Sequence, residues 1–189
     1  PVLLRDLCSG VCSSDLERSR AESGAIPLKR EEAPLPAFLS RVAEPHRDEA
    51  KLAGKTLEEV TADGVVRADL GKLALALSNL LDNAIKYGKE GGRIVLSGKI
   101  DGTACVLEVA DDGPGIPAEH LPRIFERFYR VDKGRSRELG GTGLGLSIAR
   151  HIVVSLGGSI RVESRLGVGT RFFVLFTGTT PASSSLFCS

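Results

Sequence analysis

Net charge is almost absent from this sequence: 25 Lys and Arg stand against 24 Asp and Glu in 189 residues. That balance gives no overall pull toward nucleic acid or an anionic membrane, so a polyanion could be held only at a local site. No run approaches the roughly eighteen apolar residues of a membrane-spanning helix, and the first residues do not form a signal peptide. Cysteine is scarce and scattered, at Cys8, Cys12, Cys105 and Cys188. Cys8 and Cys12 lack the second cysteine or histidine pair that a zinc site needs. Nothing indicates a disulfide framework, which fits a reducing compartment such as the cytoplasm. Cys105 lies in a strand-like run and reads as a small buried apolar residue. The hydrophobic content of 42% is that of a globular chain and argues against wholesale disorder. The length suits one domain with a sizeable core, plus tails.

Three segments follow from the punctuation. Residues 1–33 are polar and without sustained periodicity. The stretch from Asp15 to Gly24 has the composition of a helix end, while residues 1–14 fit a poorly ordered tail equally well. Ala33 to Pro36 reads as a linker into a domain over 34–177, and the Ser/Thr-rich residues 178–189 as a disordered tail. Within the domain, Phe38, Val42 and Leu52 sit loosely on one face of a helix over 37–55. Thr56 to Val66 predicts two short strands around the Asp63-Gly64 turn. Asp69 is a plausible N-cap for a helix from Leu70 to Tyr87, striped by Leu70, Leu73, Leu77, Leu80, Leu81 and Ala84 and stopped by Gly88. Arg93 to Ile100 and Thr103 to Ala110 predict a hairpin on Asp101-Gly102. Leu144, Ile148, Ile152 and Leu156 predict a further buried helix face, and Ser159 to Glu163 with Thr170 to Phe176 a last strand pair. Helices and antiparallel hairpins interleave without regular βαβ alternation. The expected fold is therefore α/β, a two-layer sandwich rather than a doubly wound parallel sheet.

Three places carry chemistry. On the helix 70–87, Asn79, Asn83 and Lys86 fall within roughly 60° of one another, opposite the leucine stripe. Amide oxygens are hard ligands suited to Mg²⁺, and a lysine one turn on can neutralise phosphates; a merely solvated polar face is the competing reading. Asp111-Asp-Gly-Pro-Gly-Ile116 follows a strand directly. Its glycines, Gly113 and Gly115, permit a tight turn, and a carboxylate held there can accept a hydrogen bond from an exocyclic amine. Gly140-Gly-Thr-Gly-Leu-Gly145 immediately precedes a helix, where backbone N–H groups form an anion site. It lacks the leading strand of a dinucleotide fold and the Gly-Lys-Ser/Thr of a P-loop.

In this order the segments resemble the boxes of sensor histidine kinases. Asn79 to Tyr87 is similar to their N box, Asp111 to Gly115 to the G1 box, Ile124-Phe-Glu-Arg-Phe-Tyr129 to the F box, and Gly141 to Gly145 to the G2 box. Gly167-Val-Gly-Thr170 resembles the closing glycine turn, and the likeness runs from about Leu35 to Phe176. The resemblance implies the Bergerat ATP-binding fold, a mixed sheet with helices on one face and a mobile lid over about 117–140. It implies that Asn83 coordinates Mg²⁺ with Asn79 beside it, that Lys86 meets the phosphates, and that Tyr87 and Ile116 line the pocket. Asp111 would take the adenine amine, with Gly113, Gly115 and Thr170 around it. Gly141, Thr142, Gly143, Leu144 and Gly145 would surround the phosphates, and Arg130 would reach the γ-phosphate. Phe125 and Phe128 would anchor the lid. Related ATPases of this fold place a glutamate where this chain has Asn79, and an amide cannot take a proton from water.

One departure stands out. The family's phospho-accepting histidine lies in a His-Glu-x-Arg-Thr/Ser-Pro type motif on a separate helical hairpin. His46, His120 and His151 match no such motif. Residues 18–24 do resemble the end of the hairpin's second helix. The resemblance thus implies a kinase domain whose acceptor hairpin lies outside this chain, and a full-length homodimer that passes phosphate to a response regulator receiver domain. Whether an inner-membrane anchor belongs to that protein stays open.

Overall fold

The structure, a computed structural model, describes residues 29–131 and 141–177. The N-terminal tail to residue 28, the central part of the expected lid (132–140) and the C-terminal tail (178–189) lie outside the described residues. The chain runs β1 (Glu31–Pro34), α1 (Leu35–Leu52), β2 (Thr56–Thr61), β3 (Val65–Ala68), α2 (Leu70–Tyr87), β4 (Arg93–Asp101) and β5 (Ala104–Asp111). A short 3₁₀ turn (Ala118–His120), α3 (Gly145–Ser155), β6 (Ser159–Arg165) and β7 (Gly169–Thr177) complete it.

Helix α2 forms as its sequence dictates. The Asp69 side chain accepts the N–H of Lys72 at 3.0 Å, satisfying one of the donors that a helix start leaves open. All six residues of the leucine stripe are buried. They meet a five-stranded mixed sheet of order β2-β4-β5-β7-β6, in which only the β2–β4 pair is parallel. Strand alternation turns Ile94, Leu96, Leu107, Val109, Phe172, Val174 and Phe176 toward the helices. The opposite face carries Glu58, Glu108, Glu163 and Arg171 and is open. The result is the expected two-layer α/β sandwich. Removing one of its central contacts, Leu77→Ala, should cost about 2–5 kcal/mol, read as a lower urea midpoint without loss of cooperativity.

Helices α1 and α2 share one polar link through the core. His46 is buried at 7% exposure; its Nδ1 lies 2.9 Å from the Val42 carbonyl and its Nε2 3.3 Å from Asp82 on α2.

Several expectations change in three dimensions. Thr56 to Val66 is not a hairpin. Strand β2 pairs in parallel with β4, while β3 pairs antiparallel with β1, which spans the end of the segment read as a tail and the start of the one read as a linker. A two-residue hairpin turn demands positive φ, and Gly64 does not adopt it; its carbonyl instead accepts the N–H of Leu35. Helix α1 starts at Leu35, because Pro36 falls in the first turn, where its missing N–H costs nothing. Leu52 is 89% exposed rather than part of the buried face, which Phe38, Leu39, Val42 and Ala43 form. On α3 the buried residues are Ala149, Ile152 and Val153, and Ile148 is exposed. A strict four-residue repeat drifts roughly 40° per step around a helix of 3.6 residues per turn, so its members cannot share one face.

Candidate functional site

The polar side of α2 is not left to solvent. Asn79 Nδ2 donates to the Leu75 carbonyl at 2.8 Å, and Asn83 Nδ2 to the Asn79 carbonyl at 2.8 Å. Both amide nitrogens are thus tied back to the helix, leaving the oxygens without donors among the described residues. Across the gap stands the start of α3. A Cβ added to Gly145 would come within 3.2 Å of Asn79 Oδ1 and 3.5 Å of the Asn83 amide, so glycine keeps this gap open. No side chain among the described residues caps α3, so its first N–H groups, beside this gap, stay without a capping acceptor there. Lys86, one turn along α2, is exposed and pairs with no carboxylate among the described residues. Two amides of α2 and an uncapped helix start therefore meet across Gly145, with Lys86 one turn further along α2.

The second wall is the turn after β5. Gly113 packs against the end of α2, where a Cβ would meet Gly88 and the Tyr87 carbonyl. Asp111 Oδ1 accepts the Gly113 N–H at 2.9 Å, and Thr170 is paired with Asp111 across β5 and β7. Burial pushes this carboxyl above its ordinary range; the Gly113 bond opposes the rise, neighbouring Asp112 adds to it, and the Thr170 backbone opposes it again. Asp112 behaves differently. Desolvation works to raise it, yet the N–H of Arg93 at 2.9 Å and Lys89 Nζ at 3.1 Å together hold it low. Of the two adjacent aspartates, Asp112 is spent on structure, and Asp111 is the one that burial perturbs at the cleft.

The third wall joins the aromatic island to the glycine loop. Phe125 stacks edge-on against Phe172 of the core, with ring centroids 6.3 Å apart, as an anchor should. Phe128 does not anchor: it is 69% exposed and held at φ 63, its N–H bonded to the Gly143 carbonyl at 2.9 Å. Its backbone rather than its ring makes the link. Arg130, two residues on, has buried Nε and Nη2 atoms with no hydrogen-bond partner among the described residues. Two unpaired guanidinium nitrogens in a nearly dry setting are a standing demand for an anion. Thr142 Oγ1 accepts the Leu144 N–H at 3.4 Å, bracing the loop, while Gly141 only begins the described segment.

Sequence reasoning missed Ser164, whose hydroxyl bonds Ile116 on one segment and Gly169 and Thr170 on another, beside Asp111. Its signal was a polar residue at an inward-facing position of β6, after Ile160 and Val162. A cavity of about 520 Å³ opens beside the Asp111 turn, with Asp111, Ser164 and Gly169 in its lining together with Arg93, Val95, Arg165 and Arg171. On its sheet side Arg93 and Arg171 are already bound to Glu58 and Glu108. Among the described residues no cluster of three His, Cys, Asp or Glu could hold a metal, and no helix is long and apolar enough to cross a membrane.

Comparison with known proteins agrees with this geometry. Residues 68–179 match the family described as histidine kinase-, DNA gyrase B-, and HSP90-like ATPase. The sensor protein SrrB of Staphylococcus aureus is 35% identical over 160 residues, which are 84% of this chain and 27% of SrrB. The chain therefore spans about a quarter of the length of the curated relatives it matches. Full-length ShkA, solved in complex with AMPPNP, superposes with TM-score 0.73 and 31% identity over 87% of this chain and 34% of its own. Histidine kinase ThkA, solved in complex with the response regulator protein TrrA, gives TM-score 0.68 and 25% identity over 87% of this chain and 47% of its own. The chain belongs to the histidine kinase-, DNA gyrase B- and HSP90-like ATPase family and, within it, is an ATP-binding catalytic domain of the sensor histidine kinase type.

Proposed function

We propose that this domain binds Mg-ATP in the cleft between α2, the Asp111 turn and the start of α3, and transfers the γ-phosphate to a histidine on a helical hairpin of its own kinase. The observation that carries the reading is the Asn79 amide oxygen, with the Asn83 amide beside it, facing an uncapped helix start across Gly145. Amide oxygens and nucleotide phosphates together are the hard donor set that Mg²⁺ takes, and the ion would supply charge neutralisation at the phosphates. Asn83 holds it, with Asn79 beside it. Lys86 and the backbone of Gly141 to Gly145 neutralise and cradle the phosphates, and Asp111 accepts from the adenine amine. Tyr87 and Ile116 line the base, Thr170 braces Asp111, and Arg130 meets the transferring phosphoryl group. Asn79 offers no base for water, which favours transfer to a side chain over hydrolysis.

By analogy with the complex of ThkA and TrrA, the full-length protein would hand phosphate on to a response regulator receiver domain. A homodimer bringing two hairpins together, with or without a membrane anchor, fits the same reading. Titration calorimetry tests the pocket. Asn83→Ala should remove most of the Mg²⁺-dependent part of ATP affinity while leaving metal-free binding in place. Equal affinities for Asn83→Ala and wild type in Mg²⁺ would remove the assignment.

A further inference from the structure

The turn after Asp111 has no regular partner of its own, yet it is held on one side with unusual completeness. The holder is the β6–β7 turn. Gly167 N–H donates to the Pro114 carbonyl at 2.7 Å. Gly115, at φ 72, fits beneath the Arg165 carbonyl, which any Cβ there would overlap. Gly169 lies so close to Asp111 that a Cβ would overlap the Asp111 carbonyl. These contacts are all backbone, and they fix the turn's path rather than its orientation.

The side chain that closes the arrangement is Ser164. Its Oγ accepts the Ile116 N–H at 2.7 Å, donates to the Gly169 carbonyl at 2.9 Å, and lies 3.0 Å from Thr170 Oγ1. A serine hydroxyl has one proton and two lone pairs. With its proton on Gly169, it must accept from both Ile116 and the Thr170 hydroxyl, so its capacity is full and its orientation unique. Thr170, buried at 5% exposure, is in turn the residue paired with Asp111 in the β5–β7 register. One hydroxyl thus ties both ends of the base-reading turn, Ile116 on one side and Thr170, the strand partner of Asp111, on the other.

We propose that Ser164 is a positioning residue for base recognition: it sets the Asp111 carboxylate and the Ile116 backbone at a fixed separation, and so sharpens discrimination for a 6-amino purine. This inference rests on Asp111 as the adenine acceptor. Loss of the hydroxyl leaves the Ile116 N–H and the Thr170 hydroxyl unpaired and the carboxylate less firmly aimed. The nucleotide is then held by its phosphates with the base read poorly.

The measurement is the ratio of ATP to inosine triphosphate affinity, the two ligands differing at purine C6, where one carries an amine and the other a carbonyl. Ser164→Ala should narrow that ratio by about 5–10-fold, the consequence of losing roughly one hydrogen bond's worth of orientation. Ser164→Thr keeps the hydroxyl and suits a strand, and should restore the ratio. Asp111→Asn, run alongside, should abolish it. A merely destabilised domain lowers the urea midpoint and the active fraction but leaves the ratio untouched. An unchanged ratio in Ser164→Ala beside a collapsed one in Asp111→Asn overturns the positioning role alone. An unchanged ratio in Asp111→Asn overturns the adenine assignment, and the positioning role with it.

Discussion

Replacing Asp111 with asparagine should weaken ATP binding by about 1–3 kcal/mol, or roughly 5–150-fold, the range for a hydrogen bond to a charged group. The effect is large because the carboxylate is already desolvated and aimed: the Gly113 N–H holds Oδ1 before any nucleotide arrives. Asparagine keeps the shape and removes the charge. The same residue gives a pH dependence whose sign follows from its raised pKa. Acceptance from an amine is strongest for the ionised carboxylate, so affinity is full above that pKa and falls as pH drops through it. The fall should begin at higher pH than an ordinary aspartate would give. For the apo fold the sign is opposite. A carboxyl whose folded pKa lies above its unfolded one binds its proton more tightly when folded, so this group's contribution to stability rises as pH falls through the same interval. At neutral pH the ionised Asp111 is a burden that nucleotide binding puts to use. Calorimetry over a pH series checks both, with Asp111→Asn lacking this acidic limb. A wild-type profile identical to that of the variant would remove Asp111 from base recognition.

Much of this site was legible because each of its parts is local. Helix α2 carries its N-cap, its stripe and its stop within 20 consecutive positions, Asp69 to Gly88, and the structure reproduces those bounds. A 3.6-residue period places Asn79, Asn83 and Lys86 together wherever the helix goes. The hairpin was equally local, although its turn falls on Gly102-Thr103 rather than Asp101-Gly102: Asp101 still pairs with Ala104, and Gly102 takes φ 60. What could not be read locally was pairing over distance. Nothing in Thr56 to Thr61 announces that it lies parallel to a strand more than thirty residues on, since parallel pairing leaves no turn in the sequence. The exposure of Phe128 was hidden for a related reason: its conformation is set by Gly143, in a different box. Ser164 is the clearest case, a lone serine whose three partners come from two separate turns. The core of the expected lid, 132–140, falls outside the described residues.

The final expectation concerns where phosphate goes. Incubated with labelled ATP, this chain should incorporate none, and mixed with a cognate helical hairpin bearing the acceptor histidine it should label that partner. The three histidines argue for the first half. His46 is buried, with one ring nitrogen against the Val42 carbonyl and the other against Asp82. Those contacts leave neither nitrogen open to attack phosphorus. His120 is engaged through Nδ1 with the Tyr129 hydroxyl at 2.7 Å. His151 is exposed on α3, yet it sits six residues past Gly145, on the helix whose opposite end lines the proposed phosphate site. At about 1.5 Å of rise per residue, that is too far to meet a phosphate at the helix start. The second half rests on Arg130, whose unpaired Nε and Nη2 supply donors that need no reorganisation as charge develops on the transferring group. Arg130→Ala should therefore lower the rate of transfer to the hairpin by about 10²–10³-fold. ATP affinity should change far less, because the remaining phosphate contacts come from Lys86 and the glycine loop. Acid-labile, base-stable label on each band of a gel reads the first point, and single-turnover transfer reads the second. Stable label on His46 would overturn the acceptor argument. An Arg130→Ala rate equal to wild type would mean that its orphaned nitrogens serve something other than the phosphoryl group.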